Sequence, residues 1–312
     1  MSRPAIEPIS LELRDRDFAA FAAALGASFA RHGFAVVADH GLDPARLATS
    51  LADAKAFFDL PEGVKRRYSI PGGAGQRGYT PFRTETAKGG SQADLKEFWH
   101  VGRDLPPGHP FATDMPDNVW PKQIVRFRDS QTWLFKALEA LGDDVLRAIA
   151  LYLGLGGDGL RDATALGNSV LRLIHYPPTR GEGGAVRAGA HEDINAITLL
   201  LGAEEAGLEI LDRDRRWLAI NPPPGSLVVN IGDMLARLTN DVLPSTTHRV
   251  VNPTPERQGV ARYSTPFFLH FRPDFLIRTL PDCITPQRPD RYSTPITAAD
   301  FLAQRLREIK LT

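Results

Sequence analysis

The sequence predicts a mainly β fold with flanking helices, on the basis of two observations. After Gly167 the chain consists of short apolar runs separated by turns rich in glycine, proline and aspartate. Many short strands at this spacing are typical of a β-sandwich or a β-barrel. Before that point, apolar residues recur at three- and four-residue intervals, which is the pattern of a helix that buries one face.

The individual elements follow from these two patterns. Gly33 ends the first helical stripe, and Pro44 suits the first position of the second. Residues 70–90 contain six glycines and two prolines. They predict a long loop, of a kind that often forms a lid or a binding loop. Helices are predicted at 17–32, from 44 onward, at 129–155 and at 297–310, and strands at 34–37, 170–176, 196–201, 208–211, 216–220, 227–231, 246–251 and 263–271.

Composition restricts the classes of function. The 312 residues carry 37 basic and 37 acidic side chains, so the net charge gives no reason to expect nucleic acid or an anionic membrane as partner. Cys283 is the single cysteine, which excludes a disulfide within the chain and fits a reducing compartment. No apolar signal segment is visible, and no apolar run approaches the roughly 20 residues that span a bilayer. We therefore expect one cytoplasmic unit of open oligomeric state.

Three residues form a candidate metal site. His191 and Asp193 lie two residues apart, and in an extended backbone such side chains point to the same side. His248 lies on a later β-prone run and is a candidate third ligand. Two imidazoles and one carboxylate on one face of an octahedron leave the other positions open. This arrangement is expected for non-haem iron(II) that binds oxygen together with a co-substrate.

Arg262 and Ser264 form a second pair of residues two positions apart, on the strand after that of His248. An arginine fork with a neighbouring hydroxyl suits a carboxylate, which accepts paired, charge-assisted hydrogen bonds. Alone, such a pair is usually no more than a polar strand face. Next to a metal-ligand strand, it predicts an anchor for a dicarboxylate whose other end chelates the metal.

Ordered motifs along most of the chain resemble those of iron(II)- and 2-oxoglutarate-dependent dioxygenases of the isopenicillin N synthase-like family. Their order and spacing are more specific than any single motif. The motifs are Ala56-Phe57-Phe58-Asp59-Leu60-Pro61, Gly78-Tyr79, Asp94-Leu95-Lys96-Glu97, Arg172-Leu173-Ile174-His175-Tyr176-Pro177-Pro178, His191-Glu192-Asp193, residues 217–233, residues 238–250 and Arg262-Tyr263-Ser264.

This resemblance implies a double-stranded β-helix, or jelly-roll, as the core at residues 165–280, within one oxygenase unit spanning 1–312. Residues 1–130 resemble the mixed α/β N-terminal region of the family. The resemblance also implies Fe(II) as the metal, held by His191, Asp193 and His248, with 2-oxoglutarate and O2 as co-substrates.

For the co-substrate, the resemblance implies that Arg262 and Ser264 hold the distal carboxylate of 2-oxoglutarate, with Tyr176 nearby. The chain departs from the family at Ile174, where many members carry an asparagine whose amide orients the co-substrate. His175, an ordered water or a different placement of 2-oxoglutarate would have to compensate for that amide.

The implied activity is hydroxylation or desaturation of a small molecule, with 2-oxoglutarate converted to succinate and CO2. No catalytic residue beyond the metal ligands is predicted. Arg77 and Arg83 hint at an anionic substrate. Candidates for substrate contact are Tyr79, Phe82, Arg83, Phe268 and His270.

Four alternatives stay open on the sequence alone. The first is an iron oxidase without 2-oxoglutarate, in which the Arg262 and Ser264 pair would hold a carboxylate of the substrate. The second resembles the ethylene-forming enzyme, which breaks up 2-oxoglutarate. The others are a binding or sensor protein on the same fold and a zinc hydrolase, in which the carboxylate anchor would lack a role.

Overall fold

The computed structural model describes residues 6–73, 75–86, 92–156, 158–178, 186–201 and 207–308. The helices are α1 (Glu12–Arg16), α2 (Phe18–His32), α3 (Pro44–Phe58), α4 (Glu62–Lys65), α5 (Phe127–Tyr152), α6 (Arg161–Thr164), α7 (Asp233–Leu238) and α8 (Ala298–Glu308). The strands are β1 (Pro8–Ser10), β2 (Phe34–Ala38), β3 (Gly78–Thr80), β4 (Glu97–Gly102), β5 (Val170–Tyr176), β6 (Ala188–His191), β7 (Ile197–Leu201), β8 (Leu208–Leu211), β9 (Trp217–Ala219), β10 (Leu227–Ile231), β11 (His248–Val250), β12 (Arg262–Leu269), β13 (Leu276–Ile277) and β14 (Ile296–Thr297).

The strands form two principal sheets. The larger sheet has eight strands in the order β1-β2-β10-β7-β12-β5-β4-β3, and the smaller has four in the order β6-β11-β8-β9. Neighbouring strands are antiparallel, except that β1 runs parallel to β2. A separate hairpin pairs β13 with β14. Apart from the pairs β3 with β4 and β8 with β9, adjacent strands in the two sheets are not consecutive in the chain or are separated by a helix, so side chains far apart in the sequence meet on one face.

Helices cover one face of the larger sheet. α2 begins where the Asp17 carboxylate accepts a hydrogen bond from the backbone of Ala20, and it ends at Gly33, whose φ of 68° is left-handed. α5 packs against α2 and α3. Its buried stripe is apolar along most of its length: Phe127, Leu134, Phe135, Leu138, Leu141, Val145, Leu146 and Ile149. The main core therefore lies between the helices and the larger sheet.

Smaller cores lie between the two sheets. In one, Phe34 and Val228 of the larger sheet pack against Ile210 of the smaller sheet. In another, residues of β4 and β5 pack against Ala188 and Val250. The molecule is therefore built in three layers, in the order helices, larger sheet and smaller sheet.

The prediction of a mainly β fold with flanking helices is confirmed. The predicted helices correspond to α2, α3, α5 and α8, and the predicted strands to β2, β5 and β7 to β12. The long helix was predicted to reach residue 155 but ends at Tyr152. Gly154 and Gly156 follow with φ values of 76° and 73°, which a continuing right-handed helix does not permit.

The prediction of a loop at 70–90 is partly wrong. Gly78–Thr80 forms β3 and pairs with β4, a strand that the sequence pattern did not predict. All six residues of β4 are buried, so apolar and polar residues do not alternate along it. Its polar members Glu97 and His100 hydrogen-bond inside the protein. Residues 74 and 87–90 of this segment lie outside the described residues.

The larger sheet joins both parts of the chain. β1 to β4 come from residues 1–130, whereas β5, β7, β10 and β12 come from 165–280. Neither set forms this sheet alone. Across the described ranges, none of the helices combines the length and the apolar character needed to cross a bilayer.

Candidate metal and co-substrate site

His191, Asp193 and His248 converge between the sheets. His191 ends β6 and His248 begins β11, and these two residues are direct cross-strand partners. Their ring centroids lie 4.4 Å apart. Each Nε2 atom lies 3.8 Å from Oδ1 of Asp193, and the three candidate ligand atoms lie within 4.8 Å of one another. The antiparallel pairing of two short strands thus places the second histidine beside the first.

Hydrogen bonds orient both imidazoles. Nδ1 of His191 lies 2.7 Å from the carbonyl oxygen of Gly189, and Nδ1 of His248 lies 3.1 Å from that of Thr246. A carbonyl oxygen only accepts, so Nδ1 carries the hydrogen in both rings. The lone pair is therefore on Nε2, the atom that faces Asp193. This is the tautomer of a histidine that binds a metal through Nε2.

The carboxylate of Asp193 is held through one oxygen. Oδ2 accepts hydrogen bonds from Thr198 Oγ1 at 2.5 Å and from Asn230 Nδ2 at 2.8 Å. Thr198 and Asn230 are cross-strand partners on β7 and β10. Oδ1 is left facing the two histidines. Two polar residues inside apolar strands therefore orient the candidate ligand.

His191 is neutral and Asp193 is ionised near neutral pH. Enclosure, reinforced by the neighbouring imidazole of His248, lowers the pKa of His191 to about 4. Burial alone would raise the pKa of Asp193, but the two imidazoles and the donors on its other oxygen bring it below its usual range. Two imidazole nitrogens and one anionic carboxylate oxygen, all directed to one point, suit Fe(II).

The three residues predicted to bind 2-oxoglutarate also lie together. Arg262 is the cross-strand partner of Tyr176, and its guanidinium carbon lies 5.1 Å from the centre of that ring. Ser264 is the partner of Ile174. All are buried, and the Ser264 hydroxyl makes no hydrogen bond to another described residue. Burial of an arginine and a hydroxyl on adjacent positions of one strand face fits the recognition of a carboxylate.

His175 does not replace the amide that Ile174 lacks. Its side chain lies on the other face of β5, where Nδ1 is 2.7 Å from a carboxylate oxygen of Glu97. The ring stacks on Tyr263, with centroids 4.8 Å apart and planes inclined by 13°. Of the compensations considered from the sequence, this one is therefore wrong.

A cavity of about 400 Å³ opens beside the triad. Of the five predicted substrate contacts, Phe268 and His270 lie on its wall, whereas Tyr79, Phe82 and Arg83 are not among the residues that line it. Tyr79 donates its hydroxyl hydrogen bond within a buried network around Glu97. The wall consists of Gly75, Gln76, Glu85, Thr86, Asp94, Lys96, Phe98, His100, Val170, Arg172, Ala190, His191, Glu192, Asp193, Ile194, Asn195, Thr247, Phe268, His270, Leu302, Arg305 and Leu306.

Arg77 lies away from this wall. Its side chain is buried and donates hydrogen bonds to the carbonyl oxygens of Pro116 and Gln76. Burial lowers its pKa to about 10, so it remains charged at neutral pH. The hint of an anionic substrate that Arg77 and Arg83 provided therefore has no support in the cavity.

A charged wall of the cavity was not predicted. Lys96 Nζ lies 2.5 Å from Glu85 and 2.8 Å from Asp94, and Arg172 lies 3.2 Å from Glu85. Burial alone would lower the pKa of Lys96, but the two carboxylates raise it above its usual range. The sequence did contain a signal, since Asp94 and Lys96 belong to one of the motifs described above.

The supporting residues Thr198 and Asn230 were also missed as functional residues. Both interrupt otherwise apolar strands, Ile197–Leu201 and Leu227–Ile231. A polar residue in a buried strand requires a hydrogen-bond partner. The sequence therefore indicated that each side chain needs a partner, but it did not show that the partner is Asp193.

The comparisons with known proteins agree with this site. Residues 167–271 match the family model of the 2OG-Fe(II) oxygenase superfamily. Residues 6–123 match a second family model, described as the N-terminal region of non-haem dioxygenase in morphine synthesis. A 2-oxoglutarate-Fe(II) type oxidoreductase from Aspergillus fumigatus is 32% identical over 286 residues, which cover 88% of this chain and 83% of the relative.

Solved structures show the same similarity. A protein from Caulobacter crescentus, described as a member of the 2OG-Fe(II) oxygenase family, is 60% identical with a TM-score of 0.92, covering 98% of this chain and 100% of that one. A full-length Neurospora crassa protein in complex with alpha-KG (2-oxoglutarate) and thymine is 28% identical with a TM-score of 0.85, covering 97% of this chain and 96% of that one.

The fold and the converging ligand atoms define a non-haem oxygenase with a double-stranded β-helix core. The chain belongs to the 2OG-Fe(II) oxygenase superfamily. It is a 2-oxoglutarate-dependent dioxygenase that uses Fe(II) and acts on a small molecule. The predictions of family, fold, activity and cofactors are confirmed, and the comparisons favour 2-oxoglutarate dependence over the other activities considered.

Proposed function

We propose that His191, Asp193 and His248 hold the Fe(II) ion of this dioxygenase. The observation that carries the proposal is the convergence of two Nε2 lone pairs and one free carboxylate oxygen within 4.8 Å of one another. Bound Fe(II) supplies the redox chemistry that couples O2 and 2-oxoglutarate to substrate oxidation. The protein's part is to orient the three ligands through Gly189, Thr246, Thr198 and Asn230.

Arg262 and Ser264 are the proposed anchor for the distal carboxylate of 2-oxoglutarate, with Tyr176 beside them. Support comes from their burial between the sheets and from the register of β12 on β5. Ile174 contributes only an apolar surface there. The fixed charge and the hydroxyl on one strand face would hold the co-substrate by its far end and leave its keto acid for the metal.

The cavity of about 400 Å³ is the proposed binding site for the small-molecule substrate. Its size is within the range of pockets that enclose small ligands. We assign the chain to the isopenicillin N synthase-like group and treat it as one oxygenase unit, in which residues 165–280 are the catalytic core and 1–130 complete the larger sheet. A cytoplasmic location is consistent with its single cysteine, Cys283.

Anaerobic titration of the Fe(II) protein with 2-oxoglutarate tests the site. The wild type is expected to develop a weak visible charge-transfer band as the keto acid chelates the metal. Arg262→Ala should weaken 2-oxoglutarate binding by about 30-fold, or about 2 kcal/mol, because one partner of a buried charge pair is lost. Arg216→Ala, which changes an arginine with a 70% exposed side chain, is the matched control.

Two results would contradict the assignment. Absence of the band while oxygen uptake continues would indicate an oxidase that does not use 2-oxoglutarate. An unchanged titration in Arg262→Ala would show that the anchor lies elsewhere.

A further inference from the structure

We infer that the substrate of this dioxygenase carries no negative charge and presents an amide-like edge, a neighbouring C=O and N–H, to Gln76 and His270. The inference rests on the proposed function, because it names the substrate class of the same cavity. It reverses the hint of an anionic substrate from the sequence.

His270 is the more deeply placed of the two residues. His270 is the first residue after β12 and lies two positions beyond Phe268. It lines the cavity, and its exposed fraction is 7%. Neither ring nitrogen has a hydrogen-bond partner among the described residues, and Nδ1 is fully buried. Only its backbone N–H is engaged, with Ser169 Oγ at 3.3 Å. A buried imidazole without a protein partner is unfavourable unless a ligand or water satisfies it.

The imidazole of His270 offers one donor and one acceptor. Burial lowers its pKa to about 4, so the ring is neutral at physiological pH. In the neutral ring one nitrogen donates and the other accepts, and no described partner imposes the tautomer. The ring can therefore match either a carbonyl or an N–H group of a substrate.

Gln76 lines the same cavity. Its backbone is held, because its N–H donates to Gly73 at 2.9 Å and its carbonyl accepts from Arg77 at 2.7 Å. The side-chain amide makes no hydrogen bond to another described residue. A carboxamide combines donors with an acceptor, so it pairs with the edge of another amide or lactam.

The cations of the cavity wall are engaged by carboxylates. Lys96 and Arg172 share Glu85, and Arg305 lies 2.5 Å from Asp233. A carboxylate on the substrate would have to compete for a cation that is already paired away from bulk water. Breaking such a pair leaves a buried charge without a partner, which is strongly unfavourable. The donors of the described wall that have no carboxylate partner are therefore neutral.

A second cavity of about 150 Å³ adjoins the first. It shares Gln76, His270, Leu302 and Leu306 with the first. No lysine or arginine is among the described residues that line it, whereas Asp114 contributes a carboxylate. Its wall includes Asn168, whose Oδ1 is buried without a hydrogen-bond partner. The side of the site beyond His270 thus offers an anion no cationic partner and is suited to a group with a hydrogen to donate.

Matched pairs of small molecules test the substrate class. The anaerobic Fe(II) and 2-oxoglutarate complex is titrated with nicotinamide and nicotinate, and with thymine and orotate, and binding is followed by calorimetry. We expect an uncharged member to bind at least about tenfold more tightly than its anionic partner, because only it avoids breaking a buried pair. Tighter binding of the carboxylates, or no binding by either uncharged probe, would overturn the inference.

Substitutions test the two residues. His270→Phe keeps an aromatic ring without its nitrogens, and we expect it to weaken the uncharged probe about tenfold, whereas His270→Asn should restore part of the affinity. Gln76→Leu should act in the same direction, and it keeps the test available if His270→Phe does not fold. Gln287→Leu, an exposed glutamine, is the control.

Unchanged affinity in both His270→Phe and Gln76→Leu would refute the assigned contacts. The visible band produced by 2-oxoglutarate, recorded before a probe is added, reports separately on the proposed function. A missing band would contradict the co-substrate site, whereas a normal band with the wrong probe preference would contradict only the substrate class.

Discussion

Two buried carboxylates in this molecule have similar surroundings and different consequences. Glu97 on β4 and Asp193 beyond β6 are both less than one-tenth exposed, and each lies next to histidine. Glu97 accepts hydrogen bonds from Lys65 at 2.7 and 3.0 Å, from His175 at 2.7 Å and from Tyr79. Both of its oxygens are thereby occupied.

Asp193 differs in that its donors all bind one oxygen. Oδ2 is held by Thr198 and Asn230, whereas Oδ1 faces Nε2 of His191 and His248, neither of which can donate there. A buried carboxylate beside histidine is therefore not a metal site by itself. It becomes one where lone pairs converge without a hydrogen between them, and it is a structural cluster where cations and donors satisfy it.

The largest expected effect comes from Asp193→Ala. Loss of one of three ligands should lower substrate-dependent succinate formation by more than about 100-fold, which exceeds the effect expected of supporting residues. Thermal unfolding should remain cooperative. Asp214→Ala, with a 73% exposed side chain, provides the control. Full activity in Asp193→Ala would mean that the ligand assignment is wrong.

Glu97→Ala should act on stability. It leaves Lys65, whose side chain is 8% exposed, without its main partner, and we expect a loss of about 3–5 kcal/mol in the free energy of unfolding. Urea unfolding measures this loss. Glu62 lies 3.6 Å from the same Lys65 but is 47% exposed, so Glu62→Ala should cost at most about 1 kcal/mol. Equal losses in the two variants would show that the buried partner of Lys65 contributes no more to stability than the exposed one.

Thr198→Val tests the support of the metal ligand. The change keeps the shape of the side chain but removes the 2.5 Å hydrogen bond to Asp193. Fe(II) affinity, measured by anaerobic titration, should fall by about 10- to 100-fold with the fold retained. The control Thr265→Val, at a buried position on β12, should leave the Fe(II) affinity unchanged. Normal iron binding in Thr198→Val would show that Asp193 does not depend on this contact.

The last expected effect is spread over a pH range and concerns His270. Burial lowers the pKa of His270 to about 4, whereas an unfolded histidine titrates near 6.5. Between these values the unfolded chain binds the proton and the folded chain does not. Stability should therefore fall as pH drops from 6.5 to 4, by up to about 1.4 kcal/mol per pH unit for this residue.

Urea unfolding across that pH range checks the slope. His270→Asn should flatten it, because the titrating group is gone. His100 and His191, whose pKa values burial also lowers, should leave a residual slope in that variant. A wild-type stability that does not change between pH 6.5 and 4 would contradict the prediction.

The fold class and the candidate ligands were predictable from the sequence alone. Periodicity is a local property, so α2, α5 and β5 were predictable within a few residues, and the spacing of His191 and Asp193 placed both on one side of an extended chain. The co-substrate was predictable from the resemblance of the ordered motifs, including that around Arg262 and Ser264, to those of the family. The segment Glu97–Gly102 was missed because both of its faces are buried, which removes the alternation that marks a strand.

Which side chains meet depends on the pairing of the strands. The register of β6 on β11 sets His248 beside His191, and the pairing of β7 with β10 brings Thr198 and Asn230 to one oxygen of Asp193. Pairing also decided which polar groups stay available, because Lys96 is engaged by carboxylates while His270 is not. These outcomes depend on contacts between residues far apart in the chain, and no local pattern contains that information.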